Sequence, residues 1–414
     1  MTIVRHLAEG DRERVAHLQK QAFVLPPERV AIAGNYPLEQ GWVVEDAGTV
    51  QGALRVQKLR QFFGGRGVPC AAVSSVKVAA EARGGGYGGA LLRHVLEALR
   101  SEGVAVSTLF PVHGGVYRRY GWEFAFAYLR RSLPIAELAW RPPPEAEAGA
   151  GGVTVGPVHD DEFDEVAAWY RDRAAGENGL FDRDEAWWEE RLLAPRFGRT
   201  PYRYVARSGG SVCGYMLYTH EPASGVMPYG FDLDCRDFYW DGPAALAALL
   251  HFVRSHTGMG QRLVWPGPPG DPVELVLTGI APTVARRMAG MFRLVDVPAA
   301  LAARGYPEGL EAELRLCIED DVLPANAGPI AVRIADGRAR VSGPARDGAS
   351  AGPADRGGRS APRVDVRTLA ALYTGQLNAD TAARAGLLPG VDADTRRTLR
   401  AAFAGPVPWM AEFF

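Results

Sequence analysis

Two short stretches carry residue types that can do chemistry, and a third closes the chain. The first is Arg83-Gly84-Gly85-Gly86-Tyr87-Gly88-Gly89. It lies between a β-branched, apolar run over 71–78 and a run in which Leu91, Leu92, Val95, Leu96 and Leu99 recur at helical spacing. Glycines at the entrance of a helix let the backbone approach a ligand closely and turn successive N–H groups the same way. The unpaired N–H groups of the first helical turn add partial positive charge, so the loop suits a phosphate or pyrophosphate. No Gly-Lys-Ser/Thr closes it, as a P-loop requires, and Glu102 lacks the context of a dinucleotide fingerprint. The second stretch is Gly114-Gly115-Val116-Tyr117-Arg118-Arg119-Tyr120-Gly121-Trp122, in which a Gly-Gly turn opens a short helix. The third is Trp409-Met410-Ala411-Glu412-Phe413-Phe414. Free termini are usually polar and frayed, so an aromatic ending predicts a tail tucked into the protein.

The elements that must position these residues follow from periodicity and punctuation. Residues 2–5 read as a strand, and Asp11 caps a helix over 12–23. Three strands follow at 41–46, 50–59 and 68–78, the first two joined across Asp46-Ala47-Gly48. After the loop and its helix comes a buried strand at 104–110. Residues 141–152 (RPPPEAEAGAGG) have linker composition, which bounds a first unit at 1–140. Residues 153–298 repeat the coarse plan. Strands are expected at 153–158, 202–207, 211–219 and 231–240, with helices at 161–173, 184–193 and 242–255 and further strands at 261–265 and 274–278. No Arg-x-x-Gly-x-Gly lies between strand and helix here; residues 237–243 (DFYWDGP) stand in its place. This unit therefore reads as a degenerate copy that walls the substrate cleft and makes an oligomer contact. A third unit, 301–414, holds strands at 314–320, 330–335 and 338–342, the last two joined at Asp336-Gly337. A low-complexity stretch at 343–362 reads as mobile, and helices are expected at 366–373, 381–385 and 395–403.

Composition excludes several classes. The 414 residues carry 46 Lys+Arg against 48 Asp+Glu, so there is no basic surplus to suggest nucleic acid. The four cysteines are far apart with no C-x-x-C pair, and the histidines show no metal-ligand spacing. That predicts no metal, no disulfide framework and a reduced, cytoplasmic setting. No apolar run reaches membrane-spanning length, and MTIVRHLAEGDRERV is too charged for a secretion signal.

The pattern Arg-x-x-Gly-x-Gly (Arg83, Gly86, Gly88) after a Val-x-Val strand (Val76, Val78) resembles the acetyl-CoA pyrophosphate loop of GCN5-related N-acetyltransferases. Tyr117, four residues before Gly121-Trp122, resembles that superfamily's Tyr-x-x-x-Gly-aromatic motif. The order of units, with the aromatic ending, resembles the enhanced-intracellular-survival (Eis) family of bacterial acetyltransferases over essentially the whole chain. The resemblance implies an α+β fold of two tandem acetyltransferase-like domains, the second degenerate, with a sterol-carrier-protein-like C-terminal domain. It implies that Val76 and Val78 bond the pantetheine arm through backbone groups, and that Arg83, Gly84, Gly85, Gly86 and Gly88 hold the pyrophosphate. It implies Tyr117 as general acid, since a leaving thiolate needs a proton and a phenol of pKa ~10 can supply one. It implies the carboxylate of Phe414 as general base, and a hexamer.

His113, four residues before Tyr117, is an alternative base on the same helical face, and Glu412 is a candidate for attracting a cationic amine. Gly84-Gly85 replace further arginines common in the family, and 23–37 offers only Glu28 as an acid, few for a polycationic substrate. The expected reaction is direct acetyl transfer from acetyl-CoA to a primary amine, on an aminoglycoside-like or other small molecule or a lysine side chain. The alternative is a non-catalytic CoA- or lipid-binding protein that uses the tail domain.

Overall fold

The structure, a computed structural model, describes residues 2–24, 35–141, 152–223, 229–343 and 361–414. Glu28, the interior of the 141–152 linker and nearly all of the low-complexity stretch lie outside them.

β1 (Ile3–His6) leads through α1 (Arg12–Ala22) to β2 (Gly41–Asp46), β3 (Thr49–Phe63) and β4 (Arg66–Val78). The β2–β3 turn holds Ala47 and Gly48 at φ +48° and +76°, the left-handed pair a two-residue hairpin needs. α2 (Tyr87–Ser101) buries Leu91, Leu92, Val95, Leu96 and Leu99, the periodic positions of its sequence. β5 (Val106–Leu109), α3 (Gly114–Arg118) and β6 (Glu123–Pro134) follow.

The second part comprises β7 (Val153–Pro157), α4 (Phe163–Ala175), β8 (Phe181–Asp182) and α5 (Glu185–Trp187), which continues as a π-helical stretch over Trp188–Leu193. It goes on through β9 (Tyr202–Ser208), β10 (Ser211–Pro222), β11 (Phe231–Trp240), α6 (Gly242–Arg254), β12 (Gly260–Pro266), α7 (Pro272–Val276) and β13 (Thr283–Leu294). The tail holds α8 (Val297–Ala303), β14 (Ala312–Glu319), β15 (Gly328–Ala335), β16 (Arg338–Ser342) and β17 (Arg363–Asp365). It ends in α9 (Val366–Thr374), α10 (Ala379–Arg384) and α11 (Ala393–Ala402).

One sheet runs β1-β2-β3-β4-β5-β13-β6-β12-β11-β10-β9-β7, and a second runs β16-β15-β14-β17. β13 lies antiparallel between β5 (Met291 opposite Leu109) and β6 (Ala289 opposite Ala127), and β6 pairs in turn with β12 (Val264 opposite Ser132). A strand from the second part is thus threaded into the sheet of the first. In the tail, Leu314, Leu316 and Ile318 alternate inward beside Ile330, Val332 and Ile334, and the Asp336-Gly337 turn has φ +50° and +68°.

Two sequence expectations need correction, and the absence of a phosphate loop before α6 agrees with the expected degenerate copy. β6 and β13 were both missed by periodicity. β6 carries Arg130-Arg131 in its middle, with Arg131 buried and bonded to the carbonyls of Gly267 and Pro268; β13 is exposed through most of its first half, so neither shows a clean apolar stripe. Residues 272–276 form a helix and no strand, because Asp271 accepts from Val273 N at 3.0 Å and Pro272 stands in the first turn. Asp237, Phe238, Tyr239 and Trp240 remain inside β11, leaving Asp241 alone between strand and α6. A linker of one residue has no room for a phosphate cradle.

Candidate active site

β4 and β5 are parallel partners only from Cys70 opposite Val106 to Ala72 opposite Thr108, while β4 runs on to Val78 along β3 alone. Ala53 faces Lys77 and Arg55 faces Ser74, so β4 has one residue more than β3 in this interval. That bulge centres on Ser75, held at φ +52°, a conformation a non-glycine residue rarely adopts. The bend carries β4 away from β5. It leaves the β5-facing backbone groups of Val73 to Val78 without a ladder partner on that strand.

The open edge runs directly into the glycine loop. Gly84 and Gly86 sit at φ +86° and +83°, and a Cβ on either would meet nothing, so these glycines serve backbone conformation and not space. Gly86 is the N-cap of α2 with no side-chain cap, the first turn holds no acid, and Ala90 N donates to Gly86 O at 3.0 Å as the helix begins. The N–H groups ahead of it therefore have no acceptor within the helix. Arg83 is exposed beside them. Gly89 has a spatial reason: a Cβ there would stand 2.2 Å from Tyr120 Oη. The loop and the start of α2 thus set backbone N–H groups beside an exposed guanidinium, an arrangement that suits an anionic group.

Tyr117 is buried on the inner face of α3, with its ring edge-on to Trp122 at 6.3 Å. Burial pushes its phenol up to about 12. Gly121, at φ +84°, is pressed by Arg293 of β13, whose Cζ would lie 2.6 Å from a Cβ on Gly121. Arg293 donates twice to Asp320 of the tail at 2.7 and 2.8 Å, both side chains fully buried, and Arg367 Nη1 donates to Arg118 O at 3.0 Å. The second part and the tail together fix the turn that carries Tyr117. His113 is the N-cap of α3 and exposed, outside the helix and so not on the buried face of Tyr117.

The aromatic ending is tucked in. Trp409, Met410 and Ala411 are buried, Met410 N donates to Ala127 O at 3.0 Å, and Trp409 N donates to Asn178 O at 3.1 Å. Phe414 packs against Phe110, Phe181 and Trp187 at ring separations of 5.5–5.7 Å. Phe110 directly follows β5 and leads to α3; Phe414 packs in the cluster that includes Phe110, and Tyr117 in a separate one. Glu412 differs from the sequence expectation of an amine-attracting charge. It is buried, accepts from Arg183 Nε and from Trp187 Nε1, and so has its charge committed inside the protein. Arg183 donates its other two nitrogens to Asp237 at 2.6 and 3.0 Å and stacks on Tyr170 and Trp188 with Cζ 3.8 and 4.4 Å from the ring centroids. Burial disfavours the Arg183 charge, but Asp237 and Glu412 outweigh it and hold the guanidinium ionised; burial pushes the Glu412 carboxyl up, opposed by Arg183.

Sequence reasoning passed over Arg183, Arg293 and Lys77. Lys77 is buried with its Nζ donating to Ser75 O at 3.1 Å, and burial lowers its amine to about 7.

The architecture around the open edge of β4 is that of the GCN5-related N-acetyltransferases. Residues 3–125 and 179–294 each match a family model described as an acetyltransferase (GNAT) domain, and 297–411 match a sterol carrier protein domain. A GCN5-related N-acetyltransferase from Anabaena variabilis superposes with TM-score 0.88 at 26% identity, covering 100% of both chains. An uncharacterized N-acetyltransferase of Streptomyces coelicolor is 30% identical over 359 residues, 85% of this chain and 82% of that one. N-acetyltransferase Eis of Mycobacterium tuberculosis is 29% identical over 407 residues, 94% of this chain and 93% of its own. The chain belongs to the Eis family of N-acetyltransferases. It is an enzyme of acetyl transfer, with two GNAT-type domains and a sterol-carrier-type tail. No helix of the described residues is long and apolar enough to cross a membrane.

Proposed function

We propose that this enzyme transfers the acetyl group of acetyl-CoA to a primary amine by direct attack while both substrates are bound. The observation that carries the reading is the unpaired edge of β4 leading into the glycine cradle. Backbone groups of Val76 and Val78 bond the pantetheine arm there. The backbone of Gly84, Gly85, Gly86 and Gly88, with Arg83, holds the pyrophosphate through the N–H groups that the turn and the helix leave unpaired, the Gly85 N–H itself donating to Ala82 O. Backbone N–H groups of the same edge polarise the thioester carbonyl.

The carboxylate of Phe414 takes a proton from the attacking amine as the new N–C bond forms. A carboxylate of ordinary pKa ~3.5 is a weak base, and desolvation strengthens it. Tyr117 donates its phenolic proton to the sulfur as the C–S bond breaks, so the products are an amide and a free thiol. At about 12 the phenol stays protonated at neutral pH. The burial that raises it also disfavours a naked thiolate, so the transfer is less uphill than the two solution values suggest. Most of the rate comes from holding amine and thioester together.

The test is thiol release from acetyl-CoA across a panel of amines, run beside Tyr117→Phe and a variant lacking Phe413-Phe414. Turnover with one amine class, lost in both variants, supports the mechanism. Full activity without the last two residues removes the carboxylate from it. Tight CoA binding with no turnover on any amine replaces the reading with a binding protein. A homo-oligomer, hexameric as the resemblance implies, is the expected assembly, to be checked by sedimentation.

A further inference from the structure

Past Ala72 and Thr108 the parallel strands β4 and β5 part, and the space between them is a wedge closed at its apex by their last paired residues. Opposite residues of such a pair share a face of the sheet, and successive residues alternate faces. Val73 and Leu109, the first residues past the apex, turn to the α2 side. There they are 2% and 1% exposed, in one cluster with Tyr117 and Trp122. Thr108 and Phe110 turn the other way, toward the tail. Thr108 Oγ1 lies 3.7 Å from Met410 Sδ, and the Phe110 ring meets those of Phe413, Phe414 and Tyr128 at 5.0, 5.5 and 5.7 Å.

An acyl group on a thioester held along β4 can lengthen in few directions. The apex is shut by the pairing of β4 with β5. The α2 side is filled by Val73 and Leu109, and a close-packed interior does not open for an added methylene without strain. The way back along β4 is taken by the pantetheine arm itself. What is left is the tail side. On β4 its first side chain past the apex is Ser74, which is small; on β5 it is Phe110, half-buried and backed by three further aromatic rings. Tilted and edge-on packing of this kind holds a ring in one place.

Resting on the acetyl-transfer reading above, we propose that Phe110 sets the length of the acyl group this enzyme transfers, favouring acetyl and rejecting butyryl and longer chains. A longer chain meets the ring, and behind it the Phe413 and Phe414 rings that the tail holds against it. The residue that limits the acyl group is thereby braced by the same segment that carries the terminal carboxylate.

Thiol release with acetyl-, butyryl- and hexanoyl-CoA, with one accepted amine, tests this in the unaltered enzyme, Phe110→Leu and Phe110→Ala. The expected kcat/KM for butyryl-CoA is about tenfold or more below that for acetyl-CoA, with hexanoyl-CoA lower still. The butyryl-to-acetyl ratio should rise by about tenfold in Phe110→Ala and by less in Phe110→Leu. Because the ratio is taken within each protein, a general loss of activity or stability cancels from it. Calorimetric titration with the same thioesters, without amine, makes the comparison free of turnover. Hexanoyl-CoA should bind more weakly than acetyl-CoA, and the gap should narrow in the variants. Hexanoyl-CoA turned over as well as acetyl-CoA, or a ratio unchanged in whichever variant folds, overturns the proposal. If no amine is acetylated, the transfer reading has failed by itself, and the titration alone decides. A gap that narrows in the variants upholds the acyl limit; equal affinities, a gap that stays, or no binding at all overturns it.

Discussion

Arg183 joins Glu412 of the tail to Asp237 of β11 inside a fully buried ion cluster. The tail is thereby anchored two residues before the end of the sequence. Arg183→Met strands two carboxylates in the core, which costs about 3–5 kcal/mol of stability, read by denaturant unfolding. Glu412→Gln keeps the Arg183–Asp237 pair and should unfold close to the parent while lowering kcat, with KM for acetyl-CoA unchanged. A kcat equal to the parent's would show that the tail needs no such anchor.

Gly121→Ala places a methyl group against Arg293 at a backbone angle of φ +84°. Strain of about 1–3 kcal/mol is expected in the melting transition, with a fall in kcat because the turn that carries Tyr117 shifts. A melting curve unchanged from the parent would show that Arg293 yields freely.

Tyr117→Phe should lower kcat by about 10²–10⁴ with little effect on KM for acetyl-CoA. With its phenol at about 12, Tyr117 stays protonated across the assay range. The rate should rise as the acceptor amine loses its proton, with no descending limb up to pH 10. A descending limb near pH 8 or 9 that vanishes in Tyr117→Phe would contradict this.

Gly86→Ala meets no neighbour but must adopt φ +83°. The strain turns the N–H groups of the cradle, so KM for acetyl-CoA rises, by about tenfold for a cost near 1.4 kcal/mol. An unchanged KM with an intact fold would remove the loop from coenzyme binding.

Lys77 gives a pH prediction. Its folded value of about 7 lies below the ordinary lysine value, so between those limits the unfolded chain binds a proton that the folded one does not. Stability from this group is present above the unfolded value, falls as pH falls, and is level again below about 7. Lys77→Met should therefore raise the melting temperature at pH 7 and gain less at pH 10. Equal gains at both pH values would mean that the amine is not desolvated.

The sequence showed the parts of this fold that rest on local chemistry. The glycine cradle, the periodic face of α2, the Asp336-Gly337 hairpin and the tucked aromatic ending all follow from residues close together in the chain. The ion clusters did not show, because Arg183 meets Asp237 and Glu412, and Arg293 meets Asp320, only through tertiary packing. The same is true of β6 and β13. Their polar centres make sense only once neighbouring strands supply partners for Arg131 and cover Met291 and Phe292. Resemblance supplied the roles proposed for Tyr117 and Phe414, which no spacing alone would suggest.

The threading of β13 also sets an order on synthesis. While the ribosome makes the second part, the emerging first part has β5 and β6 without the strand that separates them, and β6 has both edges bare. Only when Leu294 has cleared the exit tunnel does the missing strand exist. Folding is then governed by contacts of high sequence separation, which form slowly and leave sticky edges exposed meanwhile. A gene fragment cut after the first unit would inherit that half-built condition permanently. This catalytic unit is not a module that recombination can move on its own.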